Sequence, residues 1–382
     1  MSEKMVQSSL ETPHRGLDAA DVTINGRFLT RRTTGVQRYA GEVLKAISLV
    51  LAAEPDWAER LKFNIRLPSD VTTAIPNFLS FASPRWGHLQ GYAWEQIELP
   101  RRKEVSLNLC NLAPILGGSK VVCIHDANVF LAPYSYTWKY RTAQRVIMPL
   151  LGRTASVIST VSKASADSLI NYGVIPNEKK IVIAPNGHEH VFAWKPERSK
   201  IKIESITHQP FILMLGGQAP HKNSRLVSAI APELALRGID CIVTGHLDNV
   251  FTSIRNQASG IHFIGFVDDD DIALLLSSAI CLIFPSFVEG FGLPVVEAMA
   301  LGCPVIAANC SCMPEICGDA ALLCSPYDPS AWINAITQLK NDKEERKILI
   351  QKGYNRCLKY SWLSTAKIYL QVLSKLAHGE GA

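Results

Sequence analysis

PSFVEGFGLPVVEAMALGCPVIA, residues 285–307, decides how the chain folds. An apolar run, Ala279–Phe284 (AICLIF), precedes it and reads as a buried parallel strand. Gly292–Leu301 reads as a helix with Pro294 in its first turn, where a fixed φ and a missing N–H do no harm. Glu289 then falls on the strand-to-helix loop, and Glu297, in an E-x7-E spacing, inside the first turns of the helix. Both carboxylates point to the mouth of a βα unit, where open α/β sheets bind ligands. A helix N-terminus favours an anion, yet two acids stand beside it. A ligand carrying two chemistries resolves the conflict. Carboxylates accept hydrogen bonds from vicinal hydroxyls, while the backbone N–H groups around Gly290, Phe291, Gly292 and Leu293 suit a diphosphate. A nucleotide sugar has both.

Outward from this segment, apolar runs alternate with helical patterns in both halves, which predicts α/β architecture with parallel sheets. The first half opens with a strand over Asp21–Phe28 and a helix over Gly35–Leu51. Strands follow at Lys62–Leu67, Ser106–Leu109, Lys120–Ile124 and Ser156–Thr160, with helices at Ser135–Leu151 and Lys163–Tyr172, and Ile181–Ala184 runs into the turn signal Pro185-Asn186-Gly187. Residues 193–209 are polar and aperiodic and read as a linker. A second set then begins: strands at Phe211–Leu215, Ile239–Thr244, Ile261–Ile264, Val305–Ala307 and Ala321–Leu323, and helices at Asn223–Leu236, Asp269–Ser278, Ser330–Leu339 and Glu344–Tyr360. A last amphipathic helix follows Ser361-Trp362 and runs to about Ala377. The expected units are a disordered lead-in (1–20), a first domain (21–195), a second domain (196–360) and the terminal helix (361–382).

Composition narrows the function classes. A chain of 382 residues, 47% hydrophobic and 19% charged, is long enough for two globular domains. The first 20 residues lack the apolar core of a signal peptide, and no run reaches the roughly 18 apolar residues a spanning helix needs. A cytoplasmic setting is expected. Cys123, Cys241 and Cys281 lie in apolar runs and read as small buried hydrophobes. Cys310, Cys312, Cys317 and Cys324 match no paired zinc-knuckle spacing, so no metal site is expected. The net charge of +5 is uneven: residues 1–195 hold 23 Lys/Arg against 16 Asp/Glu, and residues 196–382 hold 16 against 18. The basic half, with Arg31, Arg32, Arg101, Arg102 and Lys103, suits an anionic inner-membrane surface or a lipid-linked acceptor. Nucleic acid is not expected, because no stacking-aromatic module accompanies the small excess of charge.

Four further motifs lie at strand ends. LGGQAPHKN (Leu215–Asn223) follows the first strand of the second half; Gly216 and Gly217 allow backbone to approach a diphosphate, and Lys222 can set a compact positive charge on it. TGVQRY (Thr34–Tyr39) puts Gly35 before a helix N-terminus in the first half. His125-Asp126 closes the strand KVVCI at the ligand edge of its sheet. TVSKAS (Thr160–Ser165) reads mainly as a helix cap.

Together with Pro185-Asn186-Gly187, Pro314-Glu315 and Gly318–Leu323, these segments resemble the retaining glycosyltransferases of GT-B fold, family 4, over about Asp21 to Trp332. The resemblance implies two Rossmann-like domains facing each other across a cleft, the first on the acceptor side and the second binding the nucleotide sugar, with the C-terminal helix crossing back to the first. It implies that Glu289 contacts hydroxyls of the transferred sugar and Glu297 holds the ribose. Lys222 and Asn223 match the family's cation-bearing turn, whereas Gly217 stands where an arginine is common; either His221 or Arg225 takes its place, or one cation suffices. His125 matches a histidine near the reacting centre, so the expected catalytic set is His125, Glu289 and Lys222. The expected donor is a nucleoside diphosphate sugar, GDP-mannose or a UDP-sugar, used without a metal or other cofactor. The expected acceptor is a saccharide or lipid-linked saccharide of surface polysaccharide synthesis, with mannose mildly preferred by resemblance to bacterial enzymes. Two rival readings are a GT-B-fold sugar-nucleotide epimerase and a glycosyltransferase-like subunit that binds without transferring.

Overall fold

The computed structural model describes residues 19–30, 33–69, 71, 79–82, 89–100, 104–216, 219–245 and 260–379. Seven parallel strands form the first sheet: β1 (Ala20–Asn25), β2 (Leu61–Arg66), β3 (Ser80–Ala82), β4 (Val105–Asn108), β5 (Lys120–Cys123), β6 (Val157–Thr160) and β7 (Ile181–Ile183), in the order β3-β2-β1-β4-β5-β6-β7. Six form the second: β8 (Phe211–Leu215), β9 (Asp240–Thr244), β10 (Ile261–Gly265), β11 (Leu282–Phe284), β12 (Val305–Ala308) and β13 (Leu322–Cys324), in the order β10-β9-β8-β11-β12-β13. Each order reverses once, between β1 and β4 and between β8 and β11. A crevice opens outside the carboxyl ends of the strands at such a reversal, so the topology marks two ligand sites.

The helix Gly35–Ala53 buries Tyr39, Ala40, Val43, Leu44, Ile47 and Val50, one stripe at helical spacing, against the first sheet. Gln37 reaches back to the Thr34 N–H at 3.3 Å and closes its first turn. The final helix, Trp362–Ala377, packs along Gly35–Ala53 and touches β1 and β4. Its Tyr369 hydroxyl lies 2.9 Å from that of Tyr39 and 2.7 Å from Ser159 Oγ. The last segment of the chain therefore completes the core of the first half.

Several local expectations shift. The opening strand stops at Asn25, and Gly26–Thr30 is a 3-10 turn. A Cβ at Gly26 would lie 2.7 Å from the Arg66 carbonyl, so the chain turns where only glycine fits. The run Ala279–Phe284 is longer than its strand, Leu282–Phe284. The helix after Ser135 starts only at Trp138, because Pro133–Ser135 is a separate 3-10 turn. The strand Ser80–Ala82 and the helix Gly91–Ile97 had no periodic signal strong enough to announce them. The linker is not loose: Lys195 N donates to Asp270 (2.6 Å), and Ser199 Oγ and Lys200 N donate to Asp271 (both 2.8 Å). These acids start the helix Asp269–Ser278, where Asp268 and Asp271 also form a capping box. Arg31, Arg32, Arg101, Arg102, Lys103, Gly217 and all but the last two residues of the lead-in lie outside the described residues.

Candidate active site

The β8/β11 reversal carries the densest chemistry. Lys222 ends the short turn after β8, and its Nζ donates to Glu289 Oε1, on the loop after β11, at 2.5 Å. The ammonium also lies 5.4 Å from the Phe284 ring centroid. Both groups are only partly exposed, 27% for Lys222 and 12% for Glu289, which strengthens the pair relative to one in open water. The loop is clamped from behind: Ser311 Oγ accepts the Glu289 N–H (3.1 Å) and donates to the Glu289 carbonyl (3.0 Å), and Cys312 Sγ donates to the same carbonyl (3.3 Å).

Glu297 lies within the helix Leu293–Ala300 and is buried. Its Oε1 lies 2.9 Å from His190 Nε2, and His190 Nδ1 accepts from Trp362 Nε1 at 3.0 Å. The tryptophan can only donate, so Nδ1 is the bare nitrogen and Nε2 carries the proton given to Glu297. This relay ties the second acid to the first half and to the returning helix. Nothing in the sequence singled out His190, because the partners it joins lie 107 and 172 residues away.

The glycines divide into two kinds. Gly292 (φ +87°) starts the helix, and a Cβ there would lie 2.5 Å from Met313 Cε. Gly292 offers no side-chain cap; Pro294 has no N–H and the Val295 N–H donates to the Gly292 carbonyl at 2.9 Å, so the N–H groups on offer to an anion are those of Phe291, Gly292 and Leu293. Phe291 and Leu293 contribute backbone only, since their side chains are buried in the core. At Gly35 a Cβ would meet nothing within 4 Å, which leaves the turn facing open space. Gly216 serves packing instead: a Cβ there would strike the Thr244 carbonyl at 2.7 Å. Asn223 is a brace as well. It sits in the left-handed region (φ 55°) and donates through Nδ2 to the Pro285 (3.3 Å) and Pro326 (3.1 Å) carbonyls, so its amide holds the two loops rather than facing the cleft.

His125 departs from expectation. Its imidazole is turned into the first half, with Nε2 2.9 Å from the Leu109 carbonyl and the ring edge-on to Tyr39 at 4.8 Å. Burial favours this inward, satisfied position over one in the cleft. Asp126 is the member of the pair within the electrostatic reach of Glu289 and Lys222; burial pushes its carboxyl up, and the Glu289 charge adds to the shift. Burial pulls the His221 imidazole below its ordinary value, which disfavours its cationic form. Arg225 is exposed. Among the described residues, no group of three or more His, Cys, Asp or Glu is placed to hold a metal ion.

The two halves close on this site. Ser162 and Ser165 both donate to the Gly290 carbonyl, at 2.6 and 3.0 Å. A Cβ at Gly290 would lie 2.7 Å from the His125 carbonyl. Arg38 forms a two-pronged pair with Asp269 at 3.0 and 2.5 Å. The serines expected to cap a helix do so, with Ser162 Oγ accepting the Ser165 N–H at 3.0 Å, and they also dock the second half.

Residues 196–356 match the family described as Glycosyl transferases group 1. The chain is 29% identical over 254 residues to O-antigen chain mannosyltransferase B of Escherichia coli, covering 63% of this chain and 66% of that protein. The chain thus spans just under two thirds of that curated relative. Its fold matches sucrose-phosphate synthase of Thermosynechococcus elongatus with a TM-score of 0.71 at 16% identity, covering 94% of this chain and 100% of that one. It also matches Anabaena HepE in complex with UDP and glucose, with a TM-score of 0.64 at 16% identity, covering 93% and 100%. The fold is GT-B.

Proposed function

We propose that this member of the glycosyl transferases group 1, which carries the family's domain over residues 196–356, is a retaining hexosyltransferase. The observation that carries the reading is the Lys222–Glu289 pair, set at the β8/β11 reversal beside an uncapped helix N-terminus. An ammonium and a row of N–H groups suit the diphosphate of a nucleotide sugar; the carboxylate suits the hydroxyls of its hexose. Glu297, positioned by His190, suits the ribose. The O-antigen mannosyltransferase relative favours mannose as the hexose and a polysaccharide or its lipid-linked precursor as the acceptor.

The chemistry follows from these placements. The bond between the anomeric carbon and the phosphate oxygen breaks with oxocarbenium character, and the diphosphate leaves with the bonding pair. Lys222 and the N–H groups of the turn Phe291–Leu293 stabilise that charge. The acceptor hydroxyl attacks on the face the diphosphate leaves and gives its proton to the departing phosphate oxygen. Closure of the halves through Gly290 excludes water that would otherwise hydrolyse the donor.

The membrane face is part of the proposal. No acidic residue occurs between Asp126 and Asp167, a stretch that holds Lys139, Arg141, Arg145, Arg153 and Lys163. Within it Tyr134, Trp138, Val146 and Leu150 are exposed. Basic residues with an aromatic and aliphatic fringe suit an anionic lipid surface. Ser135, at one end of this stretch, accepts the His221 N–H (3.3 Å), so the face borders the cleft where a lipid-linked acceptor would arrive. No helix among the described residues is long and apolar enough to cross a membrane. We assign the protein to the cytoplasmic face of the membrane as a peripheral enzyme.

The test is a panel of nucleoside diphosphate hexoses with membrane extracts, read as released nucleotide and labelled lipid. Lys222→Ala and Glu289→Ala should each lower transfer by at least 100-fold while circular dichroism stays unchanged, on the scale of about 3–4 kcal/mol for a lost transition-state contact. Near-native turnover in either variant would refute the assignment. Release of an altered nucleotide sugar without acceptor would replace it with an epimerase.

A further inference from the structure

The first sheet has its own strand reversal, between β1 and β4, and a cavity of about 320 Å³ opens there. It lies beside the turn Thr34–Gln37 and is floored by Asn25, Glu95 and Gln144. Its size sits at the low end of ligand cavities, roughly 300–1,000 Å³, and suits one or two sugar rings rather than an extended chain. It is joined to the donor side through Leu109 and Asn111, which line it: Leu109 holds the His125 ring, and Asn111 Oδ1 accepts the His125 N–H at 2.7 Å.

We propose that this cavity receives the non-reducing end of the acceptor and selects a neutral, unphosphorylated pyranose. The inference rests on the hexosyltransferase reading and adds a substrate class to it. Among the described residues, the only charged groups lining the cavity are Arg27 and Glu95, and they pair with each other. Glu95 is 1% exposed and has both oxygens engaged, one by Arg27 and the other by Asn25 Nδ2 at 2.7 Å. A phosphate or carboxylate on the ligand would find Arg27 already paired with the buried Glu95 and, among the described residues, no further cation lining the cavity to offset its desolvation. Hydroxyl groups meet no such obstacle. Gln144 is 2% exposed, and its Nε2 has no partner among the described residues. A buried amide left unpaired costs free energy unless a ligand oxygen supplies the bond. Tyr92 and Tyr140 stand at the rim, 43% and 41% exposed, and Arg27 lies over the Tyr92 ring at 4.6 Å. Such rings offer an apolar face to the C–H side of a pyranose and a hydroxyl to its edge.

Saturation-transfer NMR on the full chain separates this inference from the reading it rests on. The probes are the methyl α-glycosides of mannose, glucose and galactose, their 6-phosphates, and GDP and UDP in the same samples. At least one neutral glycoside should bind, with its 6-phosphate at least tenfold weaker. Tyr92→Ala, at the exposed rim, and Gln144→Leu, at the floor, should each weaken that glycoside at least fivefold without changing the nucleotide signal. Equal binding of the 6-phosphate, unchanged glycoside binding in both variants, or no glycoside binding in a protein that binds nucleotide would each overturn the inference. Loss of nucleotide signal in the wild-type protein would instead overturn the transferase reading.

Discussion

The Glu315 carboxylate of the second half accepts the Lys163 backbone N–H at 2.8 Å, and the Ala164 N–H at 2.9 Å, at the start of a first-half helix. It supplies a helix N-terminus with an anion borrowed from the opposite domain. Arg356 and Tyr360 hold the backbone carbonyls of the same turn, so the acceptor of this cap is itself fixed. Glu315→Ala should cost roughly 0.5–2 kcal/mol of interdomain contact, the scale of a lost cap. Small-angle scattering should report a more open particle, and far-UV circular dichroism should not change. An unchanged scattering profile would mean the clasp contributes nothing to closure.

Gly290 sets how closely the halves approach. With its Cβ position 2.7 Å from the His125 carbonyl, Gly290→Ala must push backbone against backbone. The expected result is at least tenfold slower transfer with unchanged far-UV circular dichroism, because the clash falls on one loop contact between the halves. Equal rates in the variant and the native protein would show that closure to this distance is not required.

Trp362 orients His190, which in turn orients Glu297. Trp362→Phe keeps an aromatic ring in the core but removes the only hydrogen Nδ1 receives, so the imidazole can take the wrong tautomer. Nucleotide affinity by titration calorimetry should fall about fivefold, equivalent to about 1 kcal/mol for one hydrogen bond. Near-equal affinity would detach the relay from the ribose site.

Glu189 gives the chain a pH-dependent tie. Burial raises its carboxyl, but hydrogen bonds from Ser361 Oγ (2.5 Å) and the Trp362 N–H (3.0 Å) outweigh that and hold it below the ordinary carboxylate value. A lowered folded value means stabilisation that is complete above the unfolded pKa, about 4.3 for glutamate, and is lost as pH falls through the lower folded value. Glu189→Gln should therefore lower the melting temperature at pH 7, and the gap should narrow steadily below about pH 4.5. A gap independent of pH would mean the carboxylate charge plays no part at the start of the helix Trp362–Ala377.

The sequence by itself determined the α/β class, the break into two sets of strands, the loops that carry Lys222 and Glu289, and the helix that carries Glu297. Those features are local: apolar runs of strand length, a proline in a first helical turn, and turns rich in glycine. Only tertiary structure decided what each group faces. His125 and Asp126 are neighbours in the chain, yet packing under Tyr39 turns one inward, while the other comes within electrostatic reach of the Lys222–Glu289 pair. Asn223 looks like a ligand residue until the loops it braces are folded together. His190 has no local signature, because its partners lie far along the chain and meet it only when the sheets close and the last helix returns; Glu315 was legible as part of a motif, but the helix it caps was not. Hydrogen-bond direction and burial are properties of that three-dimensional neighbourhood, which no single segment encodes.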